Sequence, residues 1–133
     1  MKRNWTPTEA SEQAALFQWA AYAEGRHPEL KLLHHIPNGG SRDPREAHNL
    51  KRQGVKPGVP DICLPVPRGC FHGLYIELKR QRGGRLSDEQ SGWLSALTRQ
   101  GYMAVVCKGW QEARGIIMGY LGAESVPDFR DFD

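Results

Sequence analysis

The chain contains nothing near the roughly 20 consecutive apolar residues that a membrane-spanning helix requires. Cysteine is scarce. Cys63, Cys70 and Cys107 are odd in number, show no Cys-x-x-Cys spacing and fit no usual zinc-ligand pattern with the histidines. A disulfide framework is thereby excluded, and a reduced, cytosolic setting is the expectation. Neither sign of charge dominates, since 18 Lys and Arg face 15 Asp and Glu for a net +3, enough to approach a polyanion without showing that it does. There is no internal repeat. A secretory leader is imitated by Lys2, Arg3 and the alanines from Ala14 to Ala23, but Glu9, Glu12, Gln13 and Gln18 interrupt any apolar region. What is present is an ordinary globular composition, 39% apolar and 25% charged over 133 residues, which suits one domain with one core. That domain is expected over 1–122, followed by a loosely ordered tail over 123–133.

Local signals divide the chain into alternating elements. Thr6-Pro7-Thr8-Glu9 supplies a capping threonine, Thr6, and a proline at the first helical position, so a helix is expected to about Ala23 with Leu16, Trp19, Ala20 and Ala23 as its buried stripe. Glu12 lies on that stripe, where an unpaired charge would be costly, so it needs either water at the rim or a facing cation. Glu9 is read as part of the cap. Leu30 to Ile36 is the expected first strand, closed by the turn signal Pro37-Asn38-Gly39-Gly40, and its adjacent His34 and His35 point to opposite faces. Asp43-Pro44-Arg45-Glu46 opens a short helix to Gln53. Pro57, Gly58 and Pro60 force an irregular lead-in to the strand carrying Asp61, and a hairpin-sized gap separates it from Leu74 to Lys79, so these two strands should be antiparallel. Ser87-Asp88-Glu89-Gln90 is a capping box opening a helix that ends at Gly101; Tyr102 to Cys107 is a buried strand, and Trp110 to Leu121 a closing helix. The helix between the last two strands makes them a parallel pair. The order α-β-α-β-β-α-β-α gives an α/β sandwich, a small mixed β-sheet flanked by helices.

Two charges interrupt the strand Leu74-Tyr75-Ile76-Glu77-Leu78-Lys79. Side chains alternate across a strand, so Glu77 and Lys79 share one face, with Cα atoms about 6.6 to 6.8 Å apart. Pairing with the Asp61 strand, roughly 4.8 Å away, would bring the Asp61 carboxylate to the same spot. Two carboxylates and an ammonium suit metal-assisted phosphodiester hydrolysis, because magnesium takes hard oxygens from one or two carboxylates, phosphate and water. The same spacing is also that of a surface ion pair.

Gly58-Val59-Pro60-Asp61 followed by Ile76-Glu77-Leu78-Lys79 resembles the signature of the PD-(D/E)xK nuclease superfamily. Together with His35-Ile36-Pro37-Asn38-Gly39-Gly40, Gln53-Gly54-Val55-Lys56-Pro57, Leu86-Ser87-Asp88-Glu89-Gln90 and Gly101-Tyr102 before Val105-Val106-Cys107, it resembles the virus-type replication-repair nuclease (VRR-NUC) family, stand-alone phage or bacterial type. Five motifs in the family's order, from about Glu12 to Leu121, make the resemblance specific.

The resemblance implies a restriction-endonuclease-like core and a Mg²⁺- or Mn²⁺-dependent DNA endonuclease in the cytoplasm of a bacterial or phage-infected cell. It assigns Asp61, Glu77, the Leu78 carbonyl and Glu12 to the metal, with Glu9 a weaker candidate for the first-helix glutamate, Lys79 as catalytic base, and Gln90 beside that lysine, although Gln90 also suits a simple cap partner. Candidate DNA contacts are Asn38, Arg42, Arg45, Lys51, Arg52, Lys56, Arg80, Arg82 and Arg85, several of them clustered on either side of the proposed site. A homodimer acting on branched DNA, a four-way (Holliday-type) junction first, is the expected form, with no membrane partner and no organic cofactor. The rival readings are a monomeric flap or single-strand-branch nuclease, a non-cleaving DNA-binding module of the same fold, and a hydrolase of small phosphate esters.

Overall fold

A computed structural model of the chain describes residues 6–37 and 43–122. Its elements are α1 (Glu9–Ala23), a 3-10 turn (Pro28–Leu32), β1 (His34–His35), α2 (Pro44–Arg52), β2 (Ile62–Leu64), β3 (Leu74–Lys79), α3 (Asp88–Arg99), β4 (Met103–Lys108) and α4 (Trp110–Leu121). The sheet runs β1-β2-β3-β4. The expected hairpin is there, antiparallel with Ile62 opposite Ile76, and so is the parallel pair, with Glu77 opposite Val106.

β3 is the central strand, and its alternation divides the molecule. Leu74, Ile76 and Leu78 enter the hydrophobic core with Leu16 and Ala20 of α1, Ile62 and Leu64 of β2, and Ala113, Ile117 and Tyr120 of α4. Tyr75, Glu77 and Lys79 point to the other face, where α3 lies. Tyr120 closes the core by donating its hydroxyl to the Val66 carbonyl at 2.6 Å.

Two sequence expectations are corrected. The first strand does not span Leu30 to Ile36. Pro28 opens a 3-10 turn, and Leu30 and Leu33 are buried three residues apart while Leu32 is 52% exposed, so the leucines follow helical spacing and only His34–His35 pair. The first helix is capped by Thr8, not Thr6. Thr8 has the extended backbone of a cap and its hydroxyl accepts the Ser11 N–H at 3.1 Å, which leaves Pro7 ahead of the helix. Asp43 and Ser87 cap α2 and α3 as expected. The tail over 123–133 lies outside the described residues.

The lead-in to Asp61 depends on one glycine. Gly58 has φ +90°, and a Cβ there would come within 2.5 Å of the Glu89 backbone carbon, so this loop packs directly on the first turn of α3. Gly58→Ala should therefore destabilise the domain by about 2 kcal/mol, a strained backbone plus a displaced helix end. Urea unfolding checks this: the midpoint should drop clearly, and an unchanged midpoint would show that the contact yields freely.

Candidate active site

Glu77 is only 2% exposed and Lys79 only 7%, so the two charges that interrupt β3 are buried, not on the surface. Lys79 Nζ lies 3.6 Å from Glu77 Oε1 and 3.9 Å from Glu9 Oε1. Gln90 Nε2 donates to Glu77 Oε1 at 3.0 Å. The same Gln90 completes the capping box of α3, its Oε1 accepting the Ser87 N–H at 2.9 Å and its N–H donating to Ser87 Oγ at 3.1 Å. The cap role is therefore filled, and the other end of the same amide, expected beside Lys79, meets Glu77. Glu77 Oε2 is buried with no hydrogen-bond partner.

Asp61 sits immediately before β2. Its Oδ2 accepts the Leu78 N–H at 3.0 Å. Its carbonyl is held from the other side, accepting the Ile36 N–H at 2.7 Å and the His35 ring at 2.8 Å. A carbonyl only accepts, so Nδ1 of His35 carries the proton. His34 turns to the Leu32 carbonyl instead. Burial first, and then the negative charge of Asp61, push the Glu77 carboxyl up to about 8, with Lys79 pulling the other way and Glu9 adding to the rise.

Glu12, which the resemblance assigns to the metal, is held in the structure by donors from two other elements. It is 2% exposed, and both oxygens are occupied: Oε2 accepts the Trp110 N–H at 2.6 Å and Oε1 accepts Gln81 Nε2 at 3.1 Å. Gly109, the residue before α4, has no side chain to cap that helix, and Glu12 does so from α1, a carboxylate at the positive end of a helix. Neither a cation nor water at the rim was needed. Glu9, one turn earlier, is the first-helix carboxylate that faces Lys79. Among the described residues no three His, Cys, Asp or Glu side chains converge as a metal cluster. Asp61 and Glu77 stand as a pair, with the Leu78 carbonyl on the strand between them and Lys79. Sequence reasoning missed Gln81 and gave Glu9 only second place behind Glu12 as the first-helix carboxylate, although Glu9 stands one turn earlier on the same helix.

The basic residues divide by position. Arg80 and Arg85 line an open cavity of about 480 Å³ with Thr8, Glu9, Ala10, Gly83 and Gly84, directly beside Lys79. Arg82, Lys56, and Arg45, Lys51 and Arg52 of α2 are exposed. Asn38 and Arg42 lie outside the described residues.

The sequence profile of the VRR-NUC domain matches residues 7–111, a span that holds every residue of this cluster. The chain belongs to the VRR-NUC family. A solved structure described as a VRR_NUC domain protein is 30% identical, superposes with a TM-score of 0.77, and is matched over 90% of this chain and 93% of its own. No curated protein matches the chain. The VRR-NUC family is one of nucleases that generally use divalent metals, so nuclease function with DNA as substrate class follows, and the α/β nuclease core expected from sequence is borne out. No helix among the described residues is long and apolar enough to cross a membrane.

The Glu77 carboxyl gives the metal-free domain a predictable pH dependence. Its folded pKa, about 8, lies above its ordinary 4.5, so the folded state holds this proton more tightly than the unfolded chain does. The stabilisation is complete below pH 4.5 and is lost as pH rises through about 8. In metal-free buffer the melting temperature of wild type should fall more between about pH 5 and about pH 9 than that of Glu77→Gln. Parallel curves for the two proteins would refute the assignment.

Proposed function

We propose that this chain is a Mg²⁺- or Mn²⁺-dependent, structure-selective endodeoxyribonuclease that cuts branched DNA during replication, recombination or repair. What supports this most is Glu77, buried against Asp61 with one oxygen unpaired and its carboxyl pushed up to about 8. The donors gathered there are hard oxygens, the kind Mg²⁺ and Mn²⁺ take. Asp61, Glu77 and the Leu78 carbonyl would hold the ion. When bound it polarises the phosphate and makes water more acidic.

The chain's own groups do the rest. Gln90 holds one Glu77 oxygen and so leaves the other turned into the site. Lys79, fixed between Glu77 and Glu9, orients the attacking water and, once its ammonium has given a proton to solvent, takes the proton of that water as base. Glu12 fixes the start of α4 and thereby α1, which carries Glu9 to Lys79. Arg80 and Arg85 bind DNA phosphates in the cavity beside Lys79, with Arg82, Arg45, Lys51, Arg52, Lys56, Asn38 and Arg42 extending the backbone contact. No organic cofactor and no membrane enter this reading, and the setting is cytoplasmic.

Asp61→Ala, Glu77→Ala and Lys79→Ala should each cut the cleavage rate by about a hundredfold or more on labelled junction DNA with Mg²⁺ or Mn²⁺. Only the two acidic changes should also weaken metal binding in calorimetry. Wild-type rates in any of the three would remove that residue from the site.

A four-way junction is resolved by two symmetric cuts, and a single domain with one cleft needs a second copy to make them. A two-fold dimer supplies both clefts in fixed relation. Light scattering should therefore give twice the chain mass in the same sample that resolves four-way junctions. A monomer that trims flaps and leaves junctions intact would overturn this.

A further inference from the structure

We propose that Tyr75, Tyr102 and His72 form a stacking site for an unpaired nucleobase, on the same sheet face as Glu77. This inference names a substrate feature and rests on the nuclease reading above.

Register places the rings. Tyr75 stands two residues before Glu77 on β3, so both point to the face opposite the core, about 6.6 to 6.8 Å apart along the strand. Across the sheet Tyr75 lies between Cys63 of β2 and Ala104 of β4. The Tyr102 ring meets Tyr75 edge to face at 5.4 Å, and His72 meets Tyr102 the same way at 5.7 Å. Neither tyrosine nor His72 belongs to the hydrophobic core, although Phe71 and Met103, the immediate chain neighbours of His72 and Tyr102, pack against it. Tyr75 and Tyr102 are half-buried and His72 is exposed. The cluster is held by glycine on its far side. Gly101 has φ +91°, and a Cβ there would come within 2.6 Å of the His72 ring.

Three aromatic rings outside the core, beside a cluster built for phosphodiester chemistry, fit the base that accompanies the phosphate. Bases inside a duplex are already stacked and offer only their edges, whereas an unpaired base offers its π-face, and aromatic side chains bind that face with little regard to sequence. The site would therefore favour unpaired nucleotides near the cut, as at a branch point, where the basic residues alone would hold any strand.

Fluorescence anisotropy in metal-free buffer tests this with a labelled oligothymidylate and a duplex of equal length, so that binding is read without cleavage. His72→Ala and Tyr102→Ala should each weaken oligothymidylate binding about five- to tenfold and leave duplex affinity within about twofold, while Tyr102→Phe keeps wild-type affinity for both. Equal losses on both DNAs, or no loss on oligothymidylate, would overturn the proposal; should Tyr102→Ala fail to fold, the exposed His72 carries the test alone. Cleavage by wild type with Mg²⁺ or Mn²⁺, measured separately, keeps the two readings apart. A protein that cuts but shows no single-strand defect in these variants refutes the stacking site only, and one that shows the defect but never cuts refutes the nuclease reading only.

Discussion

Two carboxyl groups held against one another inside a protein cannot both ionise without cost, and this fold holds Glu77 of its sheet interior against Asp61 in that way. The position is enforced from several directions at once. Ile76 and Leu78 anchor β3 in the core on one side, Gln90 reaches down from α3 on the other, and Asp61 arrives from the neighbouring strand on a loop that Gly58 presses against the same helix. Because each of these is tied to a different element, Glu77 cannot escape to solvent without the sheet, α3 and the Asp61 loop all giving way. Unfavourable electrostatics of this kind persist only where the surroundings over-determine them.

A second buried carboxylate shows what the same problem looks like when it is solved. Glu12 is as deeply enclosed as Glu77, yet both its oxygens accept hydrogen bonds, one from an amide side chain and one from the first N–H of a helix. Its negative charge meets the positive end of α4, and the site asks for nothing more. The difference lies in what each fold position supplies to the carboxyl group. Burial and type of residue are the same in both; the number of satisfied oxygens decides.

What the sequence made legible follows the range of the interactions involved. The caps at Asp43 and Ser87, the alternation of β3, the hairpin and the parallel crossover rest on contacts within a few residues or on a connection rule, and all are present. The leucines of Pro28–Leu32 misled because a short apolar run fits either period, and the proline that opens a 3-10 turn outweighed it. Glu12 was beyond local reasoning. Its partners stand 69 and 98 residues away, and nothing near position 12 indicates that a glycine would leave α4 without a cap of its own. Its neighbour Glu9 was read as a cap residue because its place in the first turn already explained it. Glu77 and Lys79 stood out in the sequence because charges inside an apolar strand violate its pattern, and Asp61 because a strand paired with theirs begins directly after it.

Gln90 shows how a local rule and a distant one can be met by one residue, and why its identity matters. A capping box works equally well with glutamate or glutamine at this position, since either supplies the oxygen that accepts the backbone N–H of the cap. The hydrogen bonds of the site distinguish the two. With the oxygen turned to Ser87, the other end of the side chain must donate to Glu77 Oε1, and only an amide has both an acceptor and a donor at its tip. Glutamate would keep the helix start and place a third negative charge against a carboxyl already pushed up by Asp61. The helix start requires only an oxygen from this residue; the requirement for nitrogen comes from the site.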